Sequence, residues 1–358
     1  MLRKFLTPAI FMASFSTVYS QDSTAKKGEL TLSGSVDGYY RYNVQNAKGK
    51  GATNDYTSFT NSQNSFELGM ASLKAEYKTG KVSATIDVGL GTRAREFSYN
   101  ETGVLAAIKQ TFISYSPTEK LKFTIGKWAT HVGYELLDPQ LNRNYSMSYM
   151  FSYGPFSHTG IKAEYGLGDH FGVMLGVANP TDYISAGFSK KYLLGQFSTT
   201  FDKFSAFLNY AGGRDFDNAA NHQLGLTATS ALSDKISLGY DGTVKFYNPK
   251  GGNSGSWWGS ALYLNIDPTE KFGFTLRGEY FDDKKGIITY MDEYNTARPL
   301  LGSAIVQTTL SFNIKPVKNL TIIPEFRIDS AEDPIFTKHN GTGAKSTGSF
   351  LLAGIFSF

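Results

Sequence analysis

Apolar and polar positions alternate with a period of two along most of the chain, the pattern of β-strands with one apolar and one polar face. Near the start, Leu30, Leu32, Val36, Tyr40 and Tyr42 alternate with Thr31, Ser33, Ser35, Asp37, Arg41 and Asn43. Val82, Ala84, Ile86, Val88 and Leu90 then alternate with Ser83, Thr85 and Asp87. Phe272, Phe274 and Leu276 alternate with Thr275, Arg277 and Glu279, and Ala304, Val306, Thr308, Leu310 and Phe312 with Gln307, Thr309, Ser311 and Asn313. From Phe66 to Tyr77 the phase slips near Ala71 and Ser72, which predicts a bulge. In the last stretch Phe350, Leu352, Phe356 and Phe358 share one face and Ser349, Ala353 and Ser357 the other, although Leu351 and Ile355 make that second face apolar too.

The punctuation between these strands is itself periodic. Seven short polar turns recur, at 78–81, 116–120, 166–169, 201–203, 232–235, 267–271 and 315–319. Eight longer polar segments lie between them, near 44–64, 92–103, 129–157, 179–189, 211–221, 248–255, 282–300 and 330–347. Short turns at one end and long loops at the other are the asymmetry of a transmembrane antiparallel up-and-down β-barrel, with turns in the periplasm and loops outside. Both termini on the turn side require about sixteen strands, with the last closing on the first. That is porin size, wide enough for an aqueous channel. The apolar faces then meet outer-membrane lipid and the polar faces line the interior.

Aromatic placement fits the same picture. Tyr77, Tyr115, Tyr165, Phe171, Phe201, Phe204 and Phe272 flank the short turns, while Tyr42, Tyr210, Phe246, Trp258 and Tyr280 lie near the long loops, as interfacial girdles do. A soluble sandwich or propeller has no need to sort aromatics to both strand ends. With 22 Tyr and 27 Phe but a mean hydropathy of −0.26, the chain is aromatic-rich without being hydrophobic overall. Residues 1–20 combine Arg3 and Lys4, an apolar run from Phe5 to Phe15, and Val18-Tyr19-Ser20, which reads as a signal peptide cleaved after Ser20. The run is too short for a spanning helix. The remainder, 21–358, reads as one barrel domain with a net charge of +2, since 33 basic residues face 31 acidic ones. Nothing in that balance points to nucleic acid.

Candidate chemistry is sparse. The absence of cysteine removes disulfides, thiol catalysis and thiolate zinc sites. No pair among His131, His158, His170, His222 and His339 has metal-motif spacing, and no cofactor site can be named. An outer-membrane hydrolase is an alternative reading, but Ser157 and His158, as sequence neighbours on a strand, face opposite ways, and no catalytic set can be named. The chain is therefore read as a non-enzyme. Asp55, Asp182, Asp215, Asp217, Asp282 and Asp283 in the outer loops read as solvated carboxylates in preference to calcium ligands. The interior charges carry the functional content: Arg41, Lys122, Lys127, Lys162, Lys245, Arg277 and Arg327, offset by Asp37, Asp87, Glu164, Asp241, Glu279, Glu325 and Asp329. Their near balance argues against strong ion selectivity.

The third long segment, Ala129 to Ser157, is too apolar for free solvent. Tyr134, Leu136, Leu137, Tyr145, Met147, Tyr149, Met150, Phe151, Tyr153 and Phe156 all need cover. One reading extends the next strand above the membrane, since Tyr145 to Tyr153 alternates. The favoured one bends the segment into the barrel, because Pro155 interrupts a ladder. Glu135, Asp138 and Arg143 would then be constriction charges opposite Lys127, Arg277 and Arg327, with Arg41, Glu279 and Glu325 completing the pore lining.

From Gly126 onward, Gly126-Lys127-Trp128, Val132-Gly133-Tyr134-Glu135, Arg143-Asn144-Tyr145-Ser146, Phe151-Ser152-Tyr153-Gly154-Pro155-Phe156 and His158-Thr159-Gly160 resemble the central signature of the OmpL-like outer-membrane β-barrel porin family. Leu208-Asn209-Tyr210 with Gly212-Gly213, and Glu279 to Asp283, fit the same pattern. The resemblance implies an outer-membrane channel for small hydrophilic solutes and names no particular solute. The alternative that survives is a plugged or narrow barrel serving as a surface anchor or binding scaffold. A homotrimer suits a porin of this size, although no sequence feature establishes one.

Overall fold

The computed structural model describes residues 28–358 except 50, 51, 217, 292–296, 300 and 301. The signal-peptide reading of 1–20 and the loop residue Asp217 lie outside the described residues. Sixteen antiparallel strands close into one barrel. They are β1 (Glu29–Asn43), β2 (Ser65–Thr79), β3 (Val82–Leu90), β4 (Ile108–Tyr115), β5 (Leu121–Ala129), β6 (Ser157–Gly166), β7 (Phe171–Ala178), β8 (Tyr192–Phe201), β9 (Phe204–Arg214), β10 (Ala220–Ala231), β11 (Ile236–Asn248), β12 (Gly255–Thr269), β13 (Phe272–Asp282), β14 (Ala304–Val317), β15 (Leu320–Ala331) and β16 (Ser346–Ser357). Each strand pairs with its sequence neighbour, and β1 pairs with β16 through Val36 opposite Phe356 and Tyr40 opposite Leu352. Closure removes the edges of the barrel sheet, whose strands satisfy one another's backbone groups where lipid could not.

The short turns and long loops fall where the polar punctuation predicts. Two differ in detail: β12 and β14 run on through Pro268 and Pro316, with register shifts between Ile266 and Thr269 and between Ile314 and Val317. Proline lacks the amide for a regular ladder, so the strand continues only by bulging. The bulge in β2 lies two residues earlier than its sequence suggests. Val36 pairs with Ala71 and Gly38 with Leu68, which leaves Gly69 and Met70 opposite Asp37. The Asp37 carboxylate accepts a hydrogen bond from the Met70 amide at 3.1 Å. Met70 itself is buried inside.

Outward positions such as Leu32, Ile86, Ile125, Leu208, Leu276, Phe326 and Phe356 are exposed on the wall, forming the apolar band that meets lipid. The interior holds apolar clusters as well. Leu351, Ala353 and Ile355, the inward residues of β16, pack with Tyr39, Ile323 and Tyr145. The second apolar face of that strand is thus covered from inside the lumen by a residue of the loop between β5 and β6.

Candidate pore constriction

The loop between β5 and β6, hereafter L3, folds into the barrel. Its composition demands this, because Tyr145, Met147, Tyr149, Met150, Phe151 and Phe156 are all buried against inward wall residues or neighbouring loops. Leu136 is the exception among the residues expected to need cover, and it remains exposed. Local order follows from two residues. Pro139 opens a short 3-10 turn, Pro139–Leu141, its fixed φ suiting a first helical position. Ser148 then caps a helix, α1 (Tyr149–Tyr153), its Oγ accepting the Phe151 amide at 3.1 Å.

The descending limb crosses the lumen from β5. Val132 joins an apolar cluster with Trp128, Met174, Tyr192 and Leu194. The Tyr134 amide donates to Asp241 at 3.1 Å, and its ring stacks on Tyr263 with centroids 4.3 Å apart. The returning limb climbs the inner wall of β12 to β15, rung by rung. Arg143 forms a bidentate pair with Asp267 (3.0 and 2.7 Å) and donates to Thr275. Glu325 accepts the amides of Tyr145 and Ser146 at 2.8 and 3.1 Å. Arg277 donates to the Ser146 carbonyl at 2.7 Å, and Arg327 to the Met147 carbonyl at 2.9 Å. Glu279 accepts the amides of Tyr149 and Met150, both at 2.9 Å.

This arrangement solves the problem that a buried loop poses. Irregular backbone away from water needs a partner for each polar group, and here wall carboxylates take N–H groups while wall arginines take carbonyls. Glu135 belongs to the same set: it pairs with Arg277 at 2.5 Å and accepts the Ser148 amide at 2.7 Å. Arg277, Glu135, Glu279, Glu325 and Arg327 are accordingly all buried.

The other sequence candidates sit elsewhere. Asp138 pairs with Lys109 of β4 at 2.5 Å, and Lys109 also pairs with Asp87 at 2.9 Å. Lys127 is buried, its ammonium turned to the Ile108 carbonyl at 2.7 Å and lying 5.3 Å from the ring centroid of Phe97, which itself packs against Leu137 and Phe156 of L3. Only glycine suits the neighbouring position, since Gly126 has φ 132° and a Cβ there would lie 2.2 Å from the Thr111 carbonyl. Arg41 holds the first loop, donating to the carbonyls of Thr53 and Ser62 and lying 3.4 Å from Asp55.

Two residues that the sequence reading passed over complete the constriction, Lys109 and Arg93. Arg93 lies in a short helix, Thr92–Phe97, within the second long loop. Its guanidinium sits 4.8 Å from the ring centroids of both Phe59 and Tyr145 and donates to the carbonyls of Leu137 and Tyr145. Tyr145 reaches across to donate to Asp37 on β1. L3 therefore touches the wall at β1, β2 and β4, at β7 to β9 and at β11 to β15.

The wall of β2 to β6 stays wet toward the short-turn end. Lys74 pairs with Glu76 at 3.0 Å and Lys122 with Glu164 at 2.8 Å, all four partly exposed. Above L3, toward the long loops, lies a cavity of about 1470 Å³ floored by Ser152, Tyr153 and Phe156. Loop carboxylates that read as solvated are instead structural. Asp182 is buried and accepts the amides of Phe156 and Ser157 at 2.8 and 2.7 Å, and Asp283 accepts those of Ile287 and Ile288. Burial pushes both carboxyls up to about 6, and pushes Glu96, which accepts the Phe59 amide at 2.7 Å, up to about 7. Asp55 moves the other way. Burial would raise it, but Arg41 and Arg327 overcome that and hold it below the ordinary carboxylate range.

Residues 29–358 match the family described as Putative beta-barrel porin-2, OmpL-like. The chain belongs to this family. It is an outer-membrane porin of the OmpL-like group, and solved porins share its fold. The outer membrane channel DcaP of Acinetobacter baumannii is 13% identical with a TM-score of 0.60, covering 92% of this chain and 97% of that one. An anion-selective porin from Comamonas acidovorans is likewise 13% identical at 0.60, covering 93% and 100%. OmpT of Vibrio cholerae, in a form described as a trimer, is 10% identical at 0.60, covering 93% and 100%. No curated protein sequence matches the chain significantly.

In this OmpL-like porin the Ser157-His158 pair is part of the packing. His158 is buried beside Trp128 and His131, with Nε2 3.1 Å from Thr130 Oγ1. His131, pushed down to about 4 by burial, is neutral and donates from Nε2 to the Tyr210 carbonyl at 3.0 Å. Both imidazoles are held in the packing between β5, β6 and L3.

Proposed function

We propose that this porin passes small hydrophilic solutes by passive diffusion, along a route between L3 and the wet wall of β2 to β6, with L3 setting the upper size limit. The observation that carries this reading is the double anchoring of L3, whose amides and carbonyls are held by fixed wall charges. A segment so held is a permanent constriction. The charges left free for solutes, such as Lys74 with Glu76 and Lys122 with Glu164, are paired with opposite sign. Weak ion selectivity follows. The barrel acts as a non-enzymatic domain of residues 21–358 after removal of 1–20, and a homotrimer accords with the trimeric form described for OmpT of Vibrio cholerae.

Swelling of proteoliposomes in sugars of graded size tests the reading. Rates should fall steeply from pentose to disaccharide. One observation favours a second reading, a plugged barrel that serves as a surface scaffold: L3 reaches the wall at β1, β2, β4 and β7 to β9 as well as at β11 to β15. Absence of swelling with every sugar would decide for that reading.

A further inference from the structure

We infer that the cavity above L3 is a binding vestibule for neutral oligosaccharides, which deepens the channel reading and rests on it for the direction of transport. The cavity, about 1470 Å³, is larger than the few hundred to roughly 1,000 Å³ of small-ligand pockets, so it suits a chain of several sugar units. Its aromatic lining is assembled from separate loops: Tyr99 from the second, Tyr153 and Phe156 from L3, Tyr183 from the fourth and Phe216 from the fifth, with Trp257 from β12. Phe216 and Tyr183 meet edge to face at 4.7 Å, and Phe216 and Tyr99 are each more than half exposed. Of these rings Tyr99, Tyr153, Tyr183 and Phe216 keep exposed surface and offer apolar faces to the C–H faces of a pyranose, with Trp257 and Phe156 buried behind them, while the hydroxyl and amide side chains between them, Asn61 and Asn100 among them, can hydrogen-bond its hydroxyls.

The charged residues in the lining do not favour an anionic ligand, and most of the carboxylates are engaged by the loops. Asp182 is engaged by two amides and the Tyr99 hydroxyl, Asp215 by the Tyr192 hydroxyl and the Asn221 amide group, and Glu96 by the Phe59 amide. These carboxylates fix the loops and retain lone pairs that can accept from sugar hydroxyls. With Glu67 and Glu101 the lining holds five carboxylates, of which Lys245 and Arg95 offset two, so it repels anions while a neutral ligand meets no such penalty.

Maltohexaose added to the loop side of the full-length porin in a planar bilayer should interrupt the ion current. Phe216→Ala and Tyr183→Ala should each raise the half-blocking concentration about tenfold with the open-channel current retained, and Phe216→Tyr should block like the wild type. Block by tetraethylammonium but not by maltohexaose, or by neither, would overturn the proposal. If no ion current is seen at all, the channel reading fails separately. Calorimetry of maltohexaose with the porin in detergent then decides: heat lost in Phe216→Ala upholds the vestibule, and no heat with the wild type refutes it.

Discussion

Replacing Arg277 with methionine is expected to cost the packing of L3 about 3 to 5 kcal/mol, the scale for breaking a buried ion pair from one side. Arg277 is wholly buried and serves Glu135, the carbonyls of Ser146 and Met147, and Gln307 and Thr309. Its loss strands the Glu135 charge and the Ser146 carbonyl at once, while the Met147 carbonyl keeps Arg327. The barrel ladder does not depend on these contacts, so the wall should stay folded while the loop loosens. Limited proteolysis within 136–150 should become rapid in Arg277→Met and remain slow in the wild type. Adding Glu135→Gln should recover part of the loss, since the stranded charge is then gone. Equal protease resistance in all three proteins would show that the apolar contacts of Tyr145, Met147 and Tyr149 hold the loop without the wall charges.

The lipid face should respond as strongly. Leu276→Arg puts a guanidinium into the apolar band, at an expected cost of about 2 to 4 kcal/mol near the bilayer midplane. Inward positions are not all suitable controls. Thr309 faces the lumen but is wholly buried, its Oγ1 3.2 Å from Arg277, so an arginine there would meet both a packed interior and a like charge. Thr31→Arg is the better comparison, because Thr31 is half-buried and lies opposite Glu76 across the β1–β2 ladder. Refolding titrations in lipid should find Thr31→Arg close to wild type and Leu276→Arg strongly destabilised. Similar losses in both would contradict the assigned faces.

The barrel was legible because a two-residue period and regular turn punctuation are local properties. Leu30 to Asn43 announces its two faces without reference to any other segment. The constriction was legible in part. The apolar excess of Tyr145 to Phe156 predicts that L3 needs cover, but which wall charge meets which loop atom depends on the depth the loop reaches, and no spacing in the sequence encodes that. Asp138 met Lys109 and Arg143 met Asp267 for this reason. Arg93 was hidden in a polar loop whose short helix has no apolar period long enough to read. Lys127 is different: Gly126, with φ 132°, breaks the alternation between it and lipid-facing Ile125, so Lys127 is buried, and counting positions along β5 misassigns its side.

L3 is the main constriction of the sixteen-stranded barrel, with Phe59 and Arg93 of the first two loops packed beside it. Deleting residues 136–150 removes the returning limb with its rungs to Glu325, Arg277, Arg327 and Glu279, and leaves those wall charges in a water-filled lumen where they are solvated. Single-channel recording in planar bilayers compares the full-length porin with this deletion directly. A folded barrel with a severalfold higher conductance is the predicted result; an unchanged conductance would contradict it.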